Sequence, residues 1–297
     1  MPRKLILILR IFLAVSLIAN PLLQTSAQSP MFKMVAKKAT SSVCSPDADA
    51  QKFIDSTGIT GVNATAICNL VKQLKDSSIW NDIDIIYPFI SSTSSTQAFN
   101  LKNPAAFKLA FNGTWTHDAS GADPAAANTA YATTGYIPSS SGTMTTSSSH
   151  IAIDILENSA GAGADNYDIG TFNSVTQSLL LSSTAAGGNA ATRNLSENIL
   201  FSTATTIGLW VSSHTTSTAT DFYYNNAVVL NSGAASNGSL PSVDIYLANI
   251  NLNGGGTYSS SAAGRKMDFV TAGAGLSAAK VSTLYNIISI YKTAIGR

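Results

Sequence analysis

The amino-acid sequence predicts a mainly β protein, a two-sheet sandwich or jelly roll with a helical section before it and one helix after it. Three observations carry this. From about Ala98, short apolar or alternating runs are separated by Gly, Ser, Asn and Thr turns at roughly ten-residue spacing, the rhythm of a sandwich. Helical periodicity is confined to one stretch after Asn63 and another after Ser277. Charge is scarce: Asp, Glu, Lys and Arg make up 11% of the 297 residues, against about 25% in an average soluble chain. Ser, Thr, Asn and Gly supply the polarity instead, and these residues solvate turns without charge.

The N-terminal stretch MPRKLILILRIFLAVSLIANPLLQTSAQS opens with Arg3 and Lys4, then an apolar run to about Leu23, then the small residues Ser26 and Ala27. Residues 1–29 read as a secretory signal peptide cleaved after Ala27. Two alternatives stand beside that reading: a membrane anchor, because the run is nearly long enough to span, and a spurious extension ahead of a true start at Met31. Residues 30–46 are a basic, Ser/Thr-rich linker. Residues 47–90 form the helical section. Ser45 and Asp47 suit the cap of a first helix, and Gly58 and Gly61 break it. Asn63 suits the cap of a second, in which Ile67, Leu70, Val71 and Leu74 share one apolar face. IWNDIDIIYPFI, at 79–90, is apolar and partly extended. So short a unit cannot bury its own face and must pack on the rest of the chain. The sandwich occupies 98–276. HIAIDILE is an alternating strand with Ile151, Ile153 and Ile155 on one face, leaving two exposed acids, Asp154 and Glu157. Asn225-Asn226 sits between two strand-like runs as a hairpin turn. Residues 277–297 close the chain as a helix capped by Ser277, with Val281, Leu284, Ile288, Tyr291 and Ile295 in a stripe and Gly296 at its end.

Composition excludes several functions. A formal net charge of +1 and no dense Lys/Arg patch argue against nucleic-acid binding. Membrane contact is expected only if the N-terminal segment stays uncleaved. Two cysteines exclude a disulfide-dense scaffold; Cys44 and Cys68 either pair or leave Cys68 a buried thiol. The three histidines, His117, His150 and His214, form no zinc pattern, and no G-x-S-x-G elbow is present. The expectation is therefore a non-enzyme. No cofactor is expected apart from calcium, for which Asp165 and Asp168 in GAGADNYDIG offer hard oxygens, unless they form an ordinary acidic turn. Trp115, Tyr131, Tyr136, Tyr223, Tyr224 and Tyr258 lie in or beside turn-rich segments, where rings suit either sugar stacking or a sandwich core. The chosen contact sites for a glycan are Trp115 with His117, and the hairpin bearing Tyr223, Tyr224 and Asn226.

Two resemblances sharpen these expectations. AIDILE, at 152–157, resembles the E-x-D-x-x-E strand of laminarinase-type glycosidases, which share the concanavalin A-like jelly roll. Asp154 and Glu157 match its second and third acids, but Ala152 stands in the nucleophile's place, and alanine cannot attack an anomeric carbon. The longer resemblance is to bacteriophage tail- or virion-associated proteins, which carry a helical pair, a concanavalin A-like (laminin-G-like) jelly roll and a closing helix. It rests on DADAQKFIDSTGIT, LVKQLKDSSIWNDIDIIYPFI, AFNLKNPAAFKLAFNGTWTHDASG, GLWVSSHTTSTATDFYYNNAVV and DFVTAGAGLSAAKVSTLYNIISIYKTAIGR, spanning residue 47 to the end. It implies a lectin-like or structural component of a virion, present in many copies or as an oligomer. Its partners would be surface glycans or virion neighbours. A secreted bacterial adhesin, a purely structural decoration module and a glycoside hydrolase are the alternatives.

Overall fold

The computed structural model describes residues 47–125, 129–157, 166–183, 189–195, 197–203, 205–232, 238–257 and 265–297. The N-terminal segment, the linker, Cys44, Asp165 and Tyr258 lie outside them. The elements are α1 (Ala48–Thr57), α2 (Gly61–Asp76), β1 (Ile83–Tyr87) and α3 (Ser94–Gln97). Then come β2 (Ala110–Asn112), β3 (Trp115–Asp118), β4 (Gly121–Pro124), β5 (Tyr131–Thr133), β6 (Ser149–Ile155) and β7 (Asn166–Ser174). After these are β8 (Gln177–Ser183), β9 (Asn189–Asn194), β10 (Glu197–Ser202), β11 (Gly208–Thr216), β12 (Ala219–Tyr224) and β13 (Ala227–Ser232). The chain ends with β14 (Tyr246–Leu247), β15 (Asn251–Leu252), β16 (Gly256–Thr257), β17 (Met267–Gly273) and α4 (Ala278–Ala294). Among the described residues, no helix is long and apolar enough to cross a membrane.

Two sheets face each other, as the sequence predicts for a jelly-roll sandwich. The first runs β13-β12-β11-β6-β17-β4-β3, with β1 added against β17. The second runs β10-β9-β8-β7-β14-β5-β2, with β15 and β16 alongside. Pairing is antiparallel except where β15 lies parallel to β7. Strand alternation sends Ile151, Ile153, Trp210, Phe222 and Val270 of the first sheet toward Ile169, Leu179 and Leu181 of the second, which makes the central core.

A second core lies on the other side of the first sheet. Ala152, Leu209, Val211, Tyr223 and Phe269 face α1, α2 and α4, meeting Phe53, Leu70, Leu74, Leu284 and Ile288. The molecule is thus three layers, helices on sheet on sheet. The five buried side chains of α4 are Val281, Leu284, Ile287, Ile288 and Tyr291, each contributing about 1.5–3 kcal/mol by leaving water.

The caps largely follow the sequence. Asp47 accepts from the Asp49 amide at the start of α1, and Gly58 ends it at φ 68°. Ser277 accepts from the Lys280 amide at the start of α4. Asn225 and Asn226 both hold positive φ, 45° and 71°, as a tight turn between β12 and β13 requires. The second helix departs from expectation: it begins at Gly61 behind Thr60, so Asn63 lies within it. The end of the helical section adds a strand to the sandwich: β1 pairs with β17 across 83–87 and 270–273. A further correction concerns Asp154. It is buried, because α4 covers the outward face of β6 and leaves every residue of that strand inside. Of the two acids expected on the surface, only Glu157 is there.

Candidate functional site: the open face of the second sheet

The helical layer occupies the outer face of the first sheet and leaves the outer face of the second open. Register fixes which residues stand there. Leu180 on β8 pairs with Gly170 on β7 and with Arg193 on β9, and Arg193 pairs in turn with Asn198 on β10. Alternation places these four on the face opposite Ile169, Leu181, Thr192 and Ile199, which are buried in the sandwich. The next row on the same face joins Tyr167, Ser182 and Leu200. Leu180, Arg193, Asn198, Tyr167, Ser182 and Leu200, together with Phe172 and Val175, line a groove of about 410 Å³. Leu200 is 68% exposed and Val175 58% exposed, so the groove opens to solvent. Tyr167 and Phe172 are half-buried.

The site combines apolar rings and aliphatic walls with an amide, a hydroxyl and one cation, and the rings and polar groups all stand on sheet strands. Rigid rings with a few convergent polar groups are what a saccharide needs, because its C–H faces stack on aromatics while its hydroxyls take hydrogen bonds.

The aromatic clusters chosen from the sequence fall elsewhere. Trp115 and His117 stand on β3 at one edge of the first sheet, packed on Phe111 at 5.0 and 4.6 Å between ring centroids. Trp115 spends its indole N–H on the Asn112 carbonyl at 2.9 Å. His117 Nδ1 donates to Gln97 Oε1 at 2.7 Å, and burial pulls its pKa below the ordinary value. This is a partly buried edge cluster whose indole N–H and imidazole Nδ1 are already engaged. Tyr223 is a correction: it is 2% exposed, because it faces the helical layer, and it cannot stack a sugar. Tyr224 lies over Trp210 at 4.2 Å and donates to the Ile207 carbonyl. Asn226 is exposed at the turn. The two clusters do not converge. β3 and β12 are five strands apart in one sheet, about 24 Å. Of the other rings, Tyr136 is buried with its hydroxyl on Asp84, and Tyr131 stacks on Tyr246 at 5.0 Å.

Asp168 does not fit a calcium site. Its two oxygens accept from Arg265 Nε at 2.6 Å and Nη2 at 3.1 Å, and both side chains are buried. A second cation would have to displace that guanidinium. Among the described residues no group of three or more His, Cys, Asp or Glu is placed to hold a metal. Cys68 is buried on α2 within the helical core.

One acid pair does converge, and it was not legible in the sequence. Lys292 Nζ on α4 lies 2.6 Å from Asp154 Oδ2 and 3.2 Å from Asp268 Oδ2. Sharing one ammonium keeps the two carboxyls within about 6 Å, near the spacing of a glycosidase pair. Asp268 reaches this face because the β6–β17 register shifts between Met267 and Phe269, an extra residue that turns it toward the helices. Burial, reinforced by the charge of Asp154, holds the Asp268 carboxyl well above the usual carboxylate range. The adjoining cleft of about 250 Å³ is lined by Asp154, Tyr285, Ser289, Lys292 and Arg297 but not by Asp268. With Asp268 fully buried and Lys292 across both acids, the pair anchors α4 to the sheet.

No protein-family model matches the sequence, and no curated protein matches it. Solved structures do. Aligned chains include the botulinum neurotoxin serotype D binding domain, at 9% identity and TM-score 0.46, covering 71% of this chain and 52% of that one. Domain 4 of an extracellular GH43 arabinanase from Geobacillus stearothermophilus, solved with arabinotriose, aligns at 12% identity and TM-score 0.47, over 69% and 98% of the two chains. A mutant Trypanosoma rangeli sialidase aligns at 10% and 0.45, over 76% and 39%. The chain spans about half the length of the neurotoxin binding domain it matches. Likeness at this level says nothing about activity, so the functional reading rests on the groove alone.

Proposed function

We propose that this protein is a non-catalytic glycan-recognition module that binds saccharide on the open face of its second sheet. The observation that supports this most directly is the 410 Å³ groove there, where Tyr167 and Phe172 offer rings beside Asn198, Ser182 and the aliphatic Leu180 and Leu200. Stacking and neutral hydrogen bonds would give weak single-site affinity, and copies on one particle would add avidity. The non-catalytic half of the reading is supported by the engagement of Asp154 and Asp268 with Lys292 and by Ala152 in the nucleophile's place. The setting we favour is a phage virion or tail, on the resemblance of its segments, with a secreted adhesin as the alternative.

The test is a glycan array probed with the purified wild type and with Tyr167→Ala and Phe172→Ala. Loss of a stacking ring should weaken binding about ten-fold and leave the melting temperature close to wild type. A folded wild type that binds no saccharide, yet is found at fixed stoichiometry in particles, would replace recognition with a purely structural role. N-terminal sequencing of the native protein separates the settings. A mature chain beginning near Gln28 favours export, and one beginning at Met31 within virions favours the particle.

A further inference from the structure

On the reading that the groove of the second sheet holds a saccharide, we infer that this saccharide carries a carboxylate and that Arg193 receives it. Arg193 is the only lysine or arginine between Lys108 and Arg265 in the sequence, and it stands in the groove. Every other described lysine and arginine has an internal use. Lys52, Lys72 and Lys75 meet carboxylates on α1 and α2. Lys102 and Lys108 lie over the rings of Trp80 and Phe99. Arg265, Lys266, Lys280, Lys292 and Arg297 all face carboxylates. Among the described residues, Arg193 has no ion pair, hydrogen bond or ring contact.

Its surroundings make that isolation informative. The strand partners of Arg193 are Leu180 on one side and Asn198 on the other, both neutral. The fold gains no interaction from this guanidinium, and elsewhere the surface is solvated by Ser, Thr and Asn. A cation in that company is a group kept for an outside anion. The guanidinium fork matches a carboxylate with two parallel N–H···O bonds. One positive charge also balances one carboxylate, whereas a phosphate monoester dianion would call for a second cation. Tyr167 and Phe172 border the same groove, so the charged sugar and its neighbour in the chain would both find a contact.

The experiment uses the full-length protein and an array of paired saccharides. Each carboxylated member, uronates among them, is matched by its carboxyl-reduced neutral counterpart, and sulfated members are included. The expected result is preference for the carboxylated member, weakening with added salt. Arg193→Gln should lose about ten-fold or more in affinity for it, and Arg193→Lys should recover only part, because an ammonium lacks the fork. Both variants should melt as the wild type does. Equal binding to the neutral counterparts, preference for the sulfated members, or unchanged affinity in Arg193→Gln overturns the inference and leaves glycan recognition standing. Binding to no saccharide by a folded wild type overturns both.

Discussion

The two sheets of this sandwich share one core but differ on their outer faces. The first is roofed by α1, α2 and α4, so β6 and β17 are buried along their whole length. The second carries Arg193, Leu200 and Val175 into solvent. The difference shows in what happens to polar groups. Under the roof, Asp154 and Asp268 are gathered onto Lys292 and Arg297, because a charge taken out of water must find a partner. On the open sheet a cation stands without an internal partner. Paired charge marks architecture here, and the unpaired Arg193 is the group the proposal assigns to a ligand.

The largest effect is expected between the sheets, where Arg265 and Asp168 form a fully buried bidentate pair. Arg265→Ala should cost about 3–5 kcal/mol, since it strands a buried carboxylate. Urea unfolding measures this, and Arg265→Met combined with Asp168→Leu should recover much of the loss. A cost below about 1 kcal/mol for the single variant would mean that water reaches the pair. Under the roof, Leu284→Ala on α4 should cost about 2–5 kcal/mol. A near-neutral result would show that the helical layer is dispensable to the sandwich.

A pH titration of stability sharpens the comparison further. His150 on β6 is fully buried, with Nε2 3.1 Å from Thr271 Oγ1 and Nδ1 at the Ala274 carbonyl. Burial pulls its pKa from 6.5 down to about 4. Between these values the unfolded chain binds the proton and the folded chain does not. Folded stability should therefore fall as pH drops from about 6.5 to about 4, by up to about 3 kcal/mol from this group. His150→Gln should flatten that slope while lowering stability at pH 7; an unchanged slope would point to His117 or His214, whose pKa values are also depressed by burial. The smallest effect belongs to the open sheet. Leu200→Ala, at a side chain 68% exposed, should change stability by less than about 0.5 kcal/mol, and a larger loss would mean that something covers this face.

Local chemistry made much of the fold legible. Ser277 and Gly296 bracket α4, Asp47 and Gly58 bracket α1, and Asn225-Asn226 turns a hairpin, because caps and turns depend on residues a few positions apart. What the sequence hid depends on layers. HIAIDILE alternates like a half-exposed strand, and only the arrival of α4 puts Asp154 inside. Tyr223 looked like a surface ring for the same reason. Asp268 acquires its role from a register shift that composition does not reveal. Arg193 did leave a trace, the one lysine or arginine between Lys108 and Arg265, but nothing local says that its strand faces solvent on a groove.

The pairing of β17 carries a consequence for how the chain is made. This strand lies in the middle of the first sheet, against β6 along one side and against β4 and β1 along the other. Yet its residues, 267–273, are made after every strand they pair with. Until they emerge, β1 and β6 wait with their backbone edges open, about 180 and 110 residues respectively ahead of their partner in synthesis. The nascent protein must therefore keep these strand edges from pairing with neighbouring chains while the intervening residues are made. A circular permutant that begins at β17 would shorten that exposure, and its yield of monomer would report how much the natural order costs.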